Sequence, residues 1–233
     1  MFQSFRMIAH ARSAVVIAAV LALASCKTMV ATDLYTSDLI SATEGEQLTA
    51  PMVISIELPS ESKCKEFASD IADAIRSEME TATHIGCRTE AFNNFADYRV
   101  QSEIVTYDGS ARLLGRPLAI GVTSVGDDFI VTYLINPEGI KAVWNGLPEE
   151  LTRFETFDPD LYLSAVLTND LREPVEVVTD DVFVDGVPVQ GTARRLLLRR
   201  DQVVIQMSNV TNTAFGSTDN VAHVVTFRIA EVE

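Results

Sequence analysis

Hydrophobic and polar residues change rhythm several times along the 233 residues of this chain. Ala14 to Leu23 is unbroken apolar sequence. Met52 to Leu58 alternates, with Met52, Ile54, Ile56 and Leu58 on one face and Val53, Ser55 and Glu57 on the other, the period of a half-buried strand. From Cys64 the apolar positions fall at Phe67, Ala68, Ile71, Ala74, Ile75 and Met79, which is helical spacing, while Lys63, Lys65, Glu66, Asp70, Asp73, Arg76 and Glu78 fill the opposite face. Ser60 or Ser62 supplies the cap. Tyr98 to Thr106 alternates weakly; Pro117 to Val125 and Phe129 to Ile135 are stronger strand signals separated by the turn Gly126-Asp127-Asp128. Asn136-Pro137-Glu138 starts a short helix that ends near Asn145, before Gly146-Leu147-Pro148.

Beyond Leu151 only strand signals remain. Leu161 to Leu167, Val175 to Val184, Leu196 to Leu198, Val203 to Met207 and Val225 to Ile229 are strands, and Thr168-Asn169-Asp170 turns the chain. Asp185-Gly186 is a hairpin signal of type I′. The fold class expected is α+β. Residues 50–148 form a mixed sheet with one long amphipathic helix, and residues 149–233 form an immunoglobulin-like β-sandwich, in architecture only because the Cys-Trp-Cys spacing is missing. Residues 26–49, rich in Ser, Thr, Glu and Asp, read as a polar tether, with a short helix starting at Thr36 or Ser37.

The apolar run changes meaning once its flanks are considered. Arg6 and Arg12 precede it without an acid, as in the charged start of a secretory signal. Ten apolar residues make roughly 15 Å of helix, half of a hydrocarbon core of about 30 Å, too short for a permanent span. Leu23-Ala24-Ser25-Cys26 follows directly and resembles the lipobox of bacterial lipoproteins. That resemblance implies that residues 1–25 are removed and that Cys26 becomes a lipid-bearing N-terminus, held by more than one acyl chain. With Lys27 rather than Asp after the cysteine, it also implies the inner leaflet of the outer membrane, facing the periplasm. The wider pattern (Cys26-Lys27-Thr28, Thr36-Ser37-Asp38-Leu39, the strand before a cysteine-bearing helix, Val184-Asp185-Gly186 with Pro188-Val189) resembles an uncharacterised group of Gram-negative lipoproteins, some prophage-encoded. From that group comes only an alternative role, such as exclusion of superinfecting phage.

Charge narrows the partners. The leader holds two of the 18 basic residues and none of the 33 acidic ones, which leaves the mature chain at a net −17. Such a body is repelled by nucleic acid and by anionic lipid, so the membrane is reached through the lipid on Cys26. Of three cysteines, Cys64 and Cys87 then remain. They read as a disulfide in an oxidising compartment, with two free buried thiols or a thiol nucleophile beside His84 as alternatives. His84, three residues before Cys87, falls on the opposite face of an ideal strand. A bridge also limits the helix: a rise of about 24 Å from Cys64 to Glu80 is just recovered by the extended chain back to Cys87, so the helix must stop near Glu80.

Chemistry is sparse. The chain has no HExxH, CxxC, GxSxG, Walker-type or GxGxxG pattern, and His84 and His223 are the histidines left after the leader. His223 reads as a partly buried strand residue. Asp127-Asp128, Asp158-Pro159-Asp160 and Asp180-Asp181 lack a calcium-loop spacing and read as turn acids. No catalytic, cofactor or metal residue is therefore assigned. The basic cluster Arg194, Arg195, Arg199 and Arg200, set around Leu196 to Leu198, is the place to look for a partner surface. The expectation is a non-enzymatic binding or structural module of the cell envelope with an envelope protein as partner; the rival is a small envelope hydrolase whose site is assembled from distant residues. Globomycin, which blocks lipoprotein signal cleavage, should make the uncleaved, lipidated precursor accumulate on immunoblots; an unchanged mature band would remove the anchor.

Overall fold

The computed structural model describes residues 27–108, 116–153, 160–207 and 221–230. Cys26, the leader and Asp158 lie outside the described residues. The described chain is mostly β with few helices, and its thirteen strands belong to one curled, mixed sheet. The strands are β1 (Lys27–Tyr35), β2 (Leu48–Leu58), β3 (Thr83–Glu90), β4 (Asn93–Thr106), β5 (Leu118–Val125), β6 (Asp128–Ile135), β7 (Asp160–Thr168), β8 (Val175–Asp180), β9 (Val182–Val184), β10 (Val187–Pro188), β11 (Thr192–Leu197), β12 (Gln202–Met207) and β13 (Val221–Ile229). Their order is β10-β9-β12-β7-β1-β2-β4-β5-β6-β13-β8-β11, and β3 pairs with β4 beside the start of β5.

The segment expected as a tether is instead structural from Lys27 on. Residues 27–35 form β1, between β2 and β7, antiparallel to the first and parallel to the second. Its buried positions are Val30, Thr32 and Leu34, so the alternation is real but half hidden by threonine and aspartate. Thr32 is buried because it meets the Tyr133 hydroxyl at 2.9 Å, and that hydroxyl also donates to the Ser164 carbonyl at 2.6 Å. Through β1 the strands before and after residue 148 share one sheet, so the late strands do not make a sheet of their own.

Helix α1 (Thr36–Thr43) follows β1 without a break. Its N-cap position is Tyr35, whose side chain makes no capping bond; the cap comes from Asp170, after β7. The Asp170 carboxylate accepts the Ser37 backbone N–H at 2.9 Å, the Thr36 hydroxyl at 2.9 Å, and the Ser37 hydroxyl. Helix α2 (Glu61–Glu78) starts at Ser60, whose hydroxyl accepts the Lys63 N–H at 3.3 Å, and buries Cys64, Phe67, Ile71, Ala72, Ala74 and Ile75. Its C-terminus at Met79 returns the chain to β3, within the limit set by the cysteine pair. Helix α3 (Pro137–Gly146) packs against α2, and a single turn, α4 (Glu149–Thr152), closes the group.

The curl is produced by two crossings at one corner. Residues 169–174 carry the chain from β7 to β8, and residues 198–201 carry it from β11 back to β12. Neither is a hairpin, since β7 pairs with β1 and β12 while β8 pairs with β11 and β13. Leu167, Val203 and Ile205 from one flank, and Val175, Val177, Leu197 and Phe227 from the other, join a single buried cluster. Asn169 is fully buried between the crossings. Its Nδ2 donates to the carbonyls of Glu173 (2.9 Å) and Leu197 (3.0 Å), and its Oδ1 accepts the Leu171 N–H (3.0 Å). Its backbone exchanges bonds with Arg200 and Asp201.

This corner should be acid-sensitive. Burial would raise the Asp170 carboxyl, but bonds from Ser37 and Thr36 outweigh it and hold the pKa below the ordinary value. A depressed folded pKa means stability that is present above the unfolded value of about 4 and lost as pH falls through the folded one. Asp170→Ala should lower stability to urea at pH 7 by about 1 kcal/mol, the usual worth of an N-cap, and the gap to wild type should narrow below about pH 4.

Candidate functional site

The basic cluster lies on and just beyond β11, the terminal strand on one side of the sheet. Among the described residues β11 hydrogen-bonds to β8 alone. Other edges are blunted: β10 has two residues and ends in Pro188, and β3 is bulged between His84 and Gly86. The register of β11 on β8 places Leu196 opposite Glu176 and Arg194 opposite Val178. Leu197 turns into the core and is fully buried, while Leu196 and Leu198 are 54% and 55% exposed.

The four arginines divide into two pairs. Arg194 donates to Glu176 at 3.0 Å, and Arg195 pairs with Asp185 in the β9–β10 turn. Glu176 is shared with Arg228 on β13, whose Nε lies 2.6 Å from it. Hydrogen bonds from Arg228, then Arg194, lower the Glu176 pKa. The backbone N–H of Val204, then Arg195, lowers that of Asp185. Two of the four charges are thus already compensated. Arg199 and Arg200 have no carboxylate partner among the described residues and sit in the 198–201 turn, with Arg200 at a left-handed φ of 71°. That turn is closed by hydrogen bonds: the Leu198 N–H donates to the Asp201 carboxylate (3.0 Å), the Asp201 N–H to the Leu198 carbonyl (2.9 Å), and the Arg200 N–H to the Asn169 carbonyl (2.6 Å).

An open groove of about 830 Å³ runs along the solvent face beside this edge, lined by Arg194, Leu196, Glu176, Arg228, Phe129 and Ile229 among others. No local sequence signal marks Arg228. Its link to Glu176 arises from the β8–β13 register, which pairs two residues 52 positions apart. The groove offers exposed charge and apolar side chains, and its lining contains no histidine or cysteine. A second, smaller cavity of about 90 Å³ lies between α2, α3 and the sheet, with an almost wholly apolar lining that includes Ile75, Met79, Trp144 and Leu161.

Cys64 and Cys87 form a disulfide, Cα to Cα 6.0 Å, joining the first turns of α2 to β3. The expectation that His84 faces away from Cys87 is overturned. The bulge inserts Ile85, so His84 pairs with Tyr98 and Cys87 with Ala96, two positions on the same face of β4. His84 Nε2 consequently lies 3.7 Å from the Cys87 sulfur and 3.9 Å from the Cys64 sulfur, and its ring is 5.3 Å from that of Tyr98. The three side chains have the spacing of a metal-ligand set, but both sulfurs are spent in the bridge. His223 is partly buried on β13, 3.0 Å from the Thr226 hydroxyl, and burial lowers its pKa. Asp180 and Asp181 accept the Thr192 hydroxyl and the Gly191 N–H, so they serve the turn between β8 and β11. Replacing both Cys64 and Cys87 by alanine should lower unfolding free energy by roughly 3 kcal/mol, as read from denaturant titration.

No curated protein and no solved structure matches the chain. A family described as a domain of unknown function, DUF7424, matches residues 28–231, nearly all of the described structure, and the chain belongs to that family.

Proposed function

We propose that this protein is a lipid-anchored component of a bacterial cell envelope, held through Cys26 in the inner leaflet of the outer membrane, that works without catalysis by binding another envelope protein. The observation that carries the reading is the edge of β11, which among the described residues pairs with β8 alone, with Leu196 and Leu198 exposed beside it and Arg199 and Arg200 without a carboxylate partner among the described residues at its end. An edge strand recognises an extended segment through main-chain hydrogen bonds, while flanking side chains select for sequence. Here they favour a segment that is acidic at one end and apolar in the middle. A second copy of this chain is a poor occupant, because the mature body carries a net −17. Position also supports the reading. β1 and β7 run parallel from Lys27 and Asp160 to Tyr35 and Thr168, and the arginine turn is pinned to Asn169, just past that far end. Eight steps of about 3.3 Å put it roughly 26 Å from the lipid-bearing end.

Crosslinking of intact envelopes followed by affinity capture should recover one envelope protein with the wild-type chain. Arg199→Glu with Arg200→Glu should reduce that recovery at least fivefold with the fold unchanged by circular dichroism. Equal recovery from wild type and variant would move the contact away from this edge, and recovery of none would end the binding-module reading.

A further inference from the structure

The turn between β3 and β4 holds the most exposed large hydrophobic side chain described. Phe92 is 98% exposed, and both residues of the turn, Ala91 and Phe92, have left-handed backbones, with φ of 47° and 84°. Glu90 pairs with Asn93, so this is a two-residue hairpin turn, a place where Asn-Gly is favoured and a bulky aromatic is an outlier. The arrangement costs conformational energy and leaves the ring exposed. It holds the ring out on a paired hairpin.

The sheet register says where that ring points relative to the anchor. β4 and β1 are both antiparallel to β2, so they run in the same direction. Thr28 is level with Ile56, and Ile56 with Ala96, which sets Lys27 level with Phe95 across Glu57. Phe92 lies three residues beyond Phe95, so the turn projects about 10 Å past Lys27, toward the end from which the chain leaves to Cys26. Two strand spacings separate it sideways, again about 10 Å. Because the strand begins at Lys27, one peptide bond joins the body to Cys26, about 3.8 Å between Cα atoms.

The surrounding side chains suit a lipid headgroup layer. The Lys27 ammonium lies 5.9 Å from the centre of the Tyr162 ring, and the Arg88 guanidinium 4.5 Å from that of Phe95, both level with the same end of the sheet. Cationic side chains next to aromatic rings are what membrane interfaces collect. Glu57 accepts the Lys27 backbone N–H, and Arg88 is paired with both Glu90 and Asp97, so these groups carry no net positive charge and suit zwitterionic rather than anionic lipid.

We propose that the β3–β4 turn is a second membrane contact, with the Phe92 ring seated at the headgroup–acyl boundary of the leaflet that holds the lipid on Cys26. The body then rests on the bilayer by this end of the sheet. The proposal rests on the lipid-anchor reading, and its test separates the two.

The mature protein, purified from membranes, is reconstituted in phosphatidylcholine–phosphatidylethanolamine vesicles with and without brominated acyl chains. Two variants are compared, Phe92→Trp and Val125→Trp, each combined with Trp144→Phe. Val125, the last residue of β5, is 57% exposed, and β5 runs parallel to β4, so it marks the opposite end. Mass spectrometry of the N-terminal peptide from the same preparation reports the lipid. Expected is at least twofold quenching of the indole at position 92 by brominated chains, with a blue-shifted emission, and no quenching at position 125. If the lipid is present but position 92 is neither quenched nor shifted, Phe92 does not touch the bilayer and the proposal is overturned. If the lipid is absent, the anchor reading fails on its own, and the proposal with it. Quenching at both positions would show non-specific adsorption and would equally overturn the proposal. As a second readout, Phe92→Ser, at an exposed position, should keep native circular dichroism and release at least threefold more of the lipidated protein from vesicles in flotation; unchanged release would count against the contact.

Discussion

The buried side-chain amide of Asn169 is the contact on which the shape of this molecule depends. It sits where two chain crossings pass, with both polar atoms used: two carbonyls accept from its Nδ2, and Leu171 donates to its Oδ1. A buried amide without partners costs more than it contributes, and a satisfied one fixes the backbone groups around it in a single arrangement. Replacing it by leucine of similar size would leave the Glu173 and Leu197 carbonyls and the Leu171 N–H without that partner in a dry corner. Next to it, Asp170 caps α1, so the end of β1, the end of β7 and the end of β11 are all held at one point.

That corner sets two ends of the curled sheet apart. At one end β1 begins at Lys27, and the β3–β4 turn projects past it. At the other, the Asn169 corner pins the turn that carries Arg199 and Arg200 beside β11, which among the described residues pairs with β8 alone. The disulfide serves the first end, tying α2 to β3 directly behind the projecting turn. The bulge at Ile85 brings His84 to the side of the sulfurs rather than away from them.

Local signals were legible where they were dense. The amphipathic spacing from Cys64 corresponds to α2, and Asn136-Pro137-Glu138 to the start of α3. Asp185 and Gly186 both have positive φ, the requirement of a type I′ turn. The Cys64–Cys87 pairing followed from counting thiols, and its geometric limit placed the end of the helix. β1 was illegible because Thr32 and Asp33 interrupt its apolar rhythm, although Thr32 is buried through a bond to Tyr133, 101 residues away. The cap of α1 was misplaced for the same kind of reason, as its donor groups find Asp170, 133 residues on. At the basic cluster the residues could be named, but not that two of them are neutralised by Glu176 and Asp185.

By itself, then, the sequence determined the local elements, the acidic surface, the cysteine pair and the lipobox-like leader, because each depends on neighbours within a turn or two of chain or on composition alone. Only the tertiary structure decided that residues 27–35 form an inner strand, that early and late strands share one sheet, and that Phe92 and Arg200 mark opposite ends of it. Those facts depend on register between strands far apart in sequence. Register is set by which side chains fill a common core and which buried polar atoms find partners, and neither condition is written in any single stretch of the chain.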